Sequence, residues 1–218
     1  MAQSFEITQR QFVRAEASAT AAAATPPTEQ VALKAVLPEV MAHCQSFKVA
    51  DSAVKSQERV TAKEVDEAVR ASKPLRSFYD QTREVLMAKV PGQTYPASVT
   101  LKTPDDAINA CEDVEDVLEE RQGESWAKPL FDKMVPLLDS AVREQAEASV
   151  AMQTLQKVKA QRKAVALGAR PTFVHFRRVV RATFGRTSKE YRSLLDRRGI
   201  AAEDDVETSA APTTPPTP

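Results

Sequence analysis

The chain has 218 residues, 42% hydrophobic and 6% aromatic, with five glycines against fourteen prolines and thirty Lys+Arg against thirty Asp+Glu. So few glycines exclude a many-stranded sheet, which needs them at its tight turns, and the thin aromatic content makes the core aliphatic and alanine-rich. A net charge of zero carries no bulk signal for nucleic acid or membrane.

The fold these numbers predict is all-α. It is an elongated antiparallel helical bundle over 25–199, with an N-terminal arm over 1–24 and a disordered tail over 200–218. That tail (IAAEDDVETSAAPTTPPTP) joins acids to a Pro/Thr run too poor in apolar surface to order itself. Two cysteines without a CxxC rule out a disulfide framework and a zinc ribbon. Glu6, Arg10, Arg14 and Glu16 interrupt the start where a signal peptide would need an apolar run, and no stretch approaches a membrane span. The cytoplasm is the expected compartment.

In chain order, Phe5, Ile7, Phe12 and Val13 give the arm an amphipathic character, with its docking left open. Thr25-Pro26 and Lys73-Pro74 predict helix boundaries. Between them Leu33, Leu37, Val40, Cys44 and Phe47 step by four and three, one stripe of a helix. Thr103-Pro104-Asp105-Asp106 is a strong helix start: a hydroxyl cap, a proline where no N–H is missed, and two carboxylates at the positive end of the dipole. Ala107, Cys111, Val114 and Leu118 continue it as a stripe.

Trp126, Leu130, Met134, Leu137 and Ala141 open a third stripe, continued by Ala148, Met152, Leu155 and Val158. No glycine interrupts 125–167, so one helix of roughly 60 Å is expected, with Pro129 and Pro136 in its first turns or kinking it. Thr187-x-x-Glu190 reads as a capping box and Gly199 as a stop, which brackets a helix over 188–198.

Laying 34–90 on 132–188 without gaps gives nine identities, including Pro38/Pro136, Val60/Val158, Phe78/Phe176 and Arg83/Arg181; the other five are alanine pairs. The match reads either as two duplicated helical hairpins or as coincidence in an alanine-rich chain. A duplication would place a break near Pro74 and another near Gly168–Pro171.

Charge is segregated although it sums to zero. From Asp105 to Glu124 nine acids face Arg121 alone, a net of −8, and from Lys157 to Arg198 thirteen bases face Glu190 and Asp196, a net of +11. Such helices either satisfy each other within the fold or across a dimer, form solvated faces, or contact a polyanion. In the basic stretch Phe173, Phe176, Val180 and Phe184 share one face. Arg170, Arg177, Arg178, Arg181, Arg192, Arg197 and Arg198 are the candidate partner-binding or polyanion-binding residues. The helix, turn and short helix there superficially resemble a helix-turn-helix pair, a pattern of low specificity.

Catalytic patterns are poor. His43 and His175 are the two imidazoles; Glu39 and His43 are four apart and Thr172 precedes His175 by three, where a di-iron bundle needs Glu-x-x-His twice. The carboxylates at 112, 115, 116 and 119 share a face without an imidazole. Cys44 and Cys111 fall in apolar seams, where a thiol is inert. With no Gly-rich phosphate loop and no Gly-x-Ser-x-Gly, neither catalytic residues nor a metal, cofactor or small-molecule substrate is expected. The expected function is a non-enzymatic helical interaction or assembly protein, oligomeric or bound to a protein partner. The alternative is binding of nucleic acid, or another polyanion such as an anionic membrane surface, through 157–198.

Overall fold

The computed structural model describes residues 2–23 and 31–195. The expected tail over 200–218, the Thr25-Pro26 boundary, the Gly199 stop and the residues Arg197 and Arg198 lie outside these. Of the described residues 88% are helical and none is in a strand, so the chain is all-α. The helices are α1 (Ala2–Ala23), α2 (Val31–Lys89), α3 (Pro104–Glu120), α4 (Ala127–Phe184) and α5 (Lys189–Leu194), with a single 3-10 turn at Ser98–Thr100.

Two helices dominate, of 59 residues (α2) and 58 (α4). Their length corrects the expected breaks, because α2 runs through Lys73-Pro74 and α4 through Gly168 and Pro171. A proline inside a helix costs about 3 kcal/mol or more. The seam that each helix buries outweighs it. Every seventh residue of α2 from Leu33 to Thr82 is buried: Leu33, Val40, Phe47, Val54, Thr61, Ala68, Leu75 and Thr82. In α4 the same spacing buries Ala127, Met134, Ala141, Ala148, Ala169 and Phe176, with Leu155 and Arg162 half-buried between. Beyond Pro74 alone, Leu75, Tyr79 and Leu86 are wholly buried, each contributing about 1.5–3 kcal/mol. A seven-residue period is the spacing of helices that pack side by side.

The described chain divides into two compact units: residues up to Asp51 with those from Gln161, and Ser52–Ala160. In the first unit, α1 lays Phe12, Ala15 and Ala19 against Leu33, Val40, Cys44 and Phe47 of α2 and Phe176 and Val180 of α4. The Phe12 ring stacks on Phe47 with centroids 4.1 Å apart and meets Phe173 edge-on at 4.7 Å. The arm is thus a docked helix. Phe12 alone of the Phe12-Val13 pair points inward, since Val13 is exposed. Tyr191 and Leu194 of α5 join the same core. Arg14 Nη1 donates to the Leu195 carbonyl at 3.0 Å, and the hydroxyls of Ser18 and Ser193 are 3.1 Å apart.

In the second unit, α3 packs Ala110, Cys111, Val114 and Leu118 against Leu75, Tyr79 and Leu86 of α2 and Met134, Leu138 and Ala141 of α4. The connection after α2 turns at Gly92 with φ +102° and is tied back by two bonds: Tyr79 Oη donates to the Pro96 carbonyl at 2.9 Å, Arg83 Nε to the Tyr95 carbonyl at 3.1 Å. The expected start of α3 is observed in full. Thr103 Oγ1 accepts from Asp106 N at 3.1 Å while the Asp106 carboxylate accepts from Thr103 N at 2.8 Å.

The stripes at 33–47 and 107–118 are buried as expected. The third departs first at Leu137, which is half-buried while Leu138 is buried, and again after Ala148, where Ala151 is buried and Met152 exposed. At α5 the cap is Ser188, whose hydroxyl accepts from Tyr191 N at 3.0 Å, one residue after the expected Thr187, and the helix ends at Leu194. Capping at Ser188 turns Tyr191 and Leu194 into the core.

Within each unit α2 and α4 run in opposite directions. In the first, Glu39 meets Thr172 and Asp51 meets Arg162; in the second, Glu58 meets Lys159. Thr61 Oγ1 there donates to the Ala151 carbonyl.

Candidate interaction surfaces

The basic segment reaches the surface through an apolar anchor. Phe176 and Val180 are buried and Phe173 and Phe184 half-buried, so the expected inward face of α4 holds. Around it Arg170 and Arg178 are exposed while Arg177 and Arg181 are half-buried; on α5 Arg192 is exposed. Arg177, Arg178, Arg181 and Arg186 each have an interaction partner. Two further bases of the segment are paired with α2: Lys159 Nζ lies 3.1 Å from Glu58 Oε1, and Arg162 Nη1 lies 2.8 Å from Asp51 Oδ1. Arg162 takes a seam position of α4, so its charge sits at the packing line of the helices.

Helix α3 is acidic outside and apolar inside, as its pattern predicts. Asp105, Glu112, Asp113, Asp116, Glu119 and Glu120 are exposed opposite the buried face. Glu115 is half-buried; desolvation, then the nearby carboxylates of Asp139, Glu119, Asp116 and Glu112, raise its pKa above the ordinary glutamate value. Asp106 is shifted the other way, first by the Thr103 N–H that its carboxylate accepts. Glu124 is also lowered, first by the indole N–H of Trp126 at 2.6 Å and then by Arg121.

Groups capable of chemistry are tied into packing. Thr172 Oγ1 donates to Glu39 Oε1 at 2.7 Å and lies 3.4 Å from His43 Nε2, so a hydroxyl, an imidazole and a carboxylate do meet in the first unit. The hydroxyl proton is committed to the carboxylate and Thr172 is buried, an arrangement that clamps α4 to α2. Sequence reasoning noted all three residues without seeing that they converge; the signal that could have found them is the antiparallel pairing of α2 with α4. His175 is exposed elsewhere on α4.

Burial is the first cause that pushes the Cys44 thiol up to about 11 and the Cys111 thiol to about 12, which keeps both protonated and poor nucleophiles. The cleft between α1 and α2, lined by Phe12, Val13, Glu16, Cys44, Phe47 and Lys48, holds about 70 Å³. Pockets for organic ligands run to about 300–1,000 Å³. Among the described residues no group of three or more His, Cys, Asp or Glu could hold a metal ion, and no helix is long and apolar enough to cross a membrane.

Comparison with known proteins finds no matching family, no matching curated protein and no matching solved structure.

Proposed function

We propose that this chain is a non-enzymatic helical interaction or assembly protein of the cytoplasm that works through the outer faces of its helices. The observation that carries this reading is the apolar surface left outside the cores. Val49, Val60 and Val65 on α2 and Val142, Val150, Met152, Leu167 and Val174 on α4 are all exposed. A helix needs one apolar face for its own fold, and further apolar positions outside that face suit a partner helix. Opposed charged segments support the same reading, since they can set the register and choice of partner.

The architecture that suits this role is an antiparallel bundle within each unit, built on the α2 and α4 seams. The 98-residue match, 34–90 on 132–188, lays α2 on α4, so the duplication it supports is one of a long helix and not of the expected hairpins, whose breaks near Pro74 and Gly168–Pro171 are absent.

Light scattering at low and high salt tests the proposal. The expected result is a mass above the monomer that shifts with salt, or a stable complex with a protein retrieved from lysate. A strict monomer that retrieves nothing would overturn it.

The competing reading, polyanion binding through 157–198, draws on the exposed Arg170, Arg178 and Arg192. About six phosphate contacts would give a slope of log affinity against log salt near −5. The partners already held by Arg177, Arg178 and Arg181 weigh against it. Micromolar or tighter DNA binding by the intact protein at physiological salt would reverse the order.

A further inference from the structure

The two units are unlike in how the chain builds them. The second, Ser52–Ala160, is one unbroken stretch, whereas the first is assembled from the two stretches that flank it, residues up to Asp51 and residues from Gln161. The second unit therefore carries its whole core in sequence. Tyr79 and Leu86 of α2, Val114 and Leu118 of α3 and Met134 and Leu138 of α4 form one cluster within it. The first unit has no such continuity. Its cluster joins Phe12 of α1 and Phe47 of α2 to Phe176 and Val180 of α4 and Tyr191 of α5, from opposite ends of the chain.

Apolar packing thins at the margin of each unit. In the second, the buried seam residues from Leu75 back to Ser52 and from Ala141 on to Ala160 are Val54, Thr61, Ala68, Ala148 and Ala151, mostly small, and none belongs to that unit's cluster. In the first, the cluster runs as far as Phe47 and Val165, and the next seam residues are the charged pair Asp51 and Arg162. Small and charged side chains bury less apolar surface than the Leu, Phe and Tyr of the clusters. Cooperative openings follow such clusters rather than whole helices.

A folded second unit brings its own two ends together. Lys159 Nζ lies 3.1 Å from Glu58 Oε1, and Thr61 Oγ1 and Gln57 Nε2 reach the Ala151 carbonyl at 3.1 and 3.4 Å. Adjacent ends are the geometry in which one domain is tolerated inside another. With Ser52–Ala160 unfolded, the first unit would have to close a loop as long as that whole stretch, and with it folded the entropy of closure is already spent.

We infer that the second unit holds its fold by itself and that the first unit is a clamp of the two chain ends, which opens in one piece while the second stays closed. The dependence runs one way, since the first unit needs the second and the second does not need the first. Opening releases α1 and α5 from the rest of the first core. It uncovers Phe47 and Phe176 and the Cys44 thiol, which lies 3.5 Å from the Phe12 carbonyl when closed, so an aromatic face is exposed without unfolding the rest of the chain.

The test is native-state hydrogen exchange on the intact protein in urea below the unfolding midpoint, with the variants Val180→Ala in the first core and Val114→Ala in the second. Both positions are buried and lose only two methyl groups, and far-UV circular dichroism confirms that the variants fold. The expected result is that the slowest amides of 31–51 and 161–184 converge on one opening, more frequent than the opening on which those of Ser52–Ala160 converge. Val180→Ala should speed exchange in both units by about tenfold, because the second unit unfolds only after the first has opened. Val114→Ala should speed it in the second unit alone.

The native thiols give a second readout on the wild type, because Cys44 belongs to the first unit and Cys111 to the second and both are buried. At urea concentrations below the midpoint Cys44 should be modified at least about tenfold faster than Cys111. Equal thiol rates at every urea concentration, with a single opening shared by all slow amides, would overturn the inference by showing that the units open only together. Cys111 modified first, or Val114→Ala speeding exchange in both units and Val180→Ala in one, would overturn it by reversing the dependence. Amides of the first unit that never converge would overturn its opening in one piece.

Discussion

Arg162 of α4 reaches Asp51 of α2 with Nη1 2.8 Å from Oδ1, both side chains largely buried at 17% and 10% exposure. Arg162 stands at a position where the seven-residue repeat of α4 otherwise places Met134, Ala141, Ala148, Ala169 or Phe176. A charged pair on a packing line costs desolvation, but it penalises any slip of one helix along the other, because a slip would leave both charges unmatched.

Asp51→Ala should therefore lower stability by about 2–4 kcal/mol, because the guanidinium of Arg162 loses this carboxylate in a low-dielectric setting. The double replacement Asp51→Leu with Arg162→Met should recover most of that loss. Urea unfolding of the two variants checks it. A double variant no more stable than Asp51→Ala would mean that the pair contributes through contacts other than its own.

Gly168 and Pro171 lie exposed inside α4, and nothing comes within 4 Å of a Cβ built on Gly168. Gly168→Ala should stabilise by about 0.5–1 kcal/mol, and Pro171→Ala by about 1 kcal/mol or more, as the helix regains a good former and a backbone donor. Had the chain broken there, as the sequence suggests, both changes would be neutral or harmful. Thermal melting of each variant gives the sign directly.

These positions mark where the sequence stops being legible. Local chemistry was read well at Thr103 and Asp106, where the box rests on neighbours in the chain, and at 33–47 and 107–118, where one face alone is apolar. Pro74 and Pro171 misled because the decision there is taken by Leu75, Tyr79 and Leu86 or by Thr172, Phe176 and Val180, which pack against helices distant in sequence. Thr187 and Ser188 both offer a hydroxyl, and the choice falls to the frame that buries Tyr191 and Leu194. The stripe through Met152 failed because Ala151 has the shorter side chain and meets Thr61 across the seam. The Glu39, His43 and Thr172 cluster depends on which α4 residue stands opposite which α2 residue.

Asp106 and Glu115, whose pKa values are shifted in opposite directions, should give opposite pH responses. Asp106 titrates lower in the folded protein than in the unfolded chain, so its contribution is complete above the unfolded value and fades as pH falls through the folded one. Asp106→Ala should therefore weaken the protein at neutral pH, with the difference closing in strong acid. Glu115 titrates higher when folded, so its ionised form opposes folding at neutral pH and the opposition vanishes once both states are protonated. Glu115→Gln should stabilise at neutral pH and lose that advantage on acidification. Urea midpoints measured from neutral pH into acid test both. Thr103→Ala, which removes the other half of the box, should cost about 1 kcal/mol.

Cys44 and Cys111 should resist thiol reagents in the native state at mildly alkaline pH and react together once the chain is unfolded. Their raised pKa values and burial make the thiolate scarce and inaccessible. A colorimetric thiol titration with and without denaturant reads this. One thiol reacting fast in the native protein would show that its unit opens locally.

The most direct test of assembly through helix faces is the molar mass of the intact protein in sedimentation velocity across a wide concentration series. The account predicts a weight-average mass that climbs reversibly from one chain toward two as concentration rises. A mass fixed at one chain throughout, with no protein partner recovered under the same conditions, would contradict it.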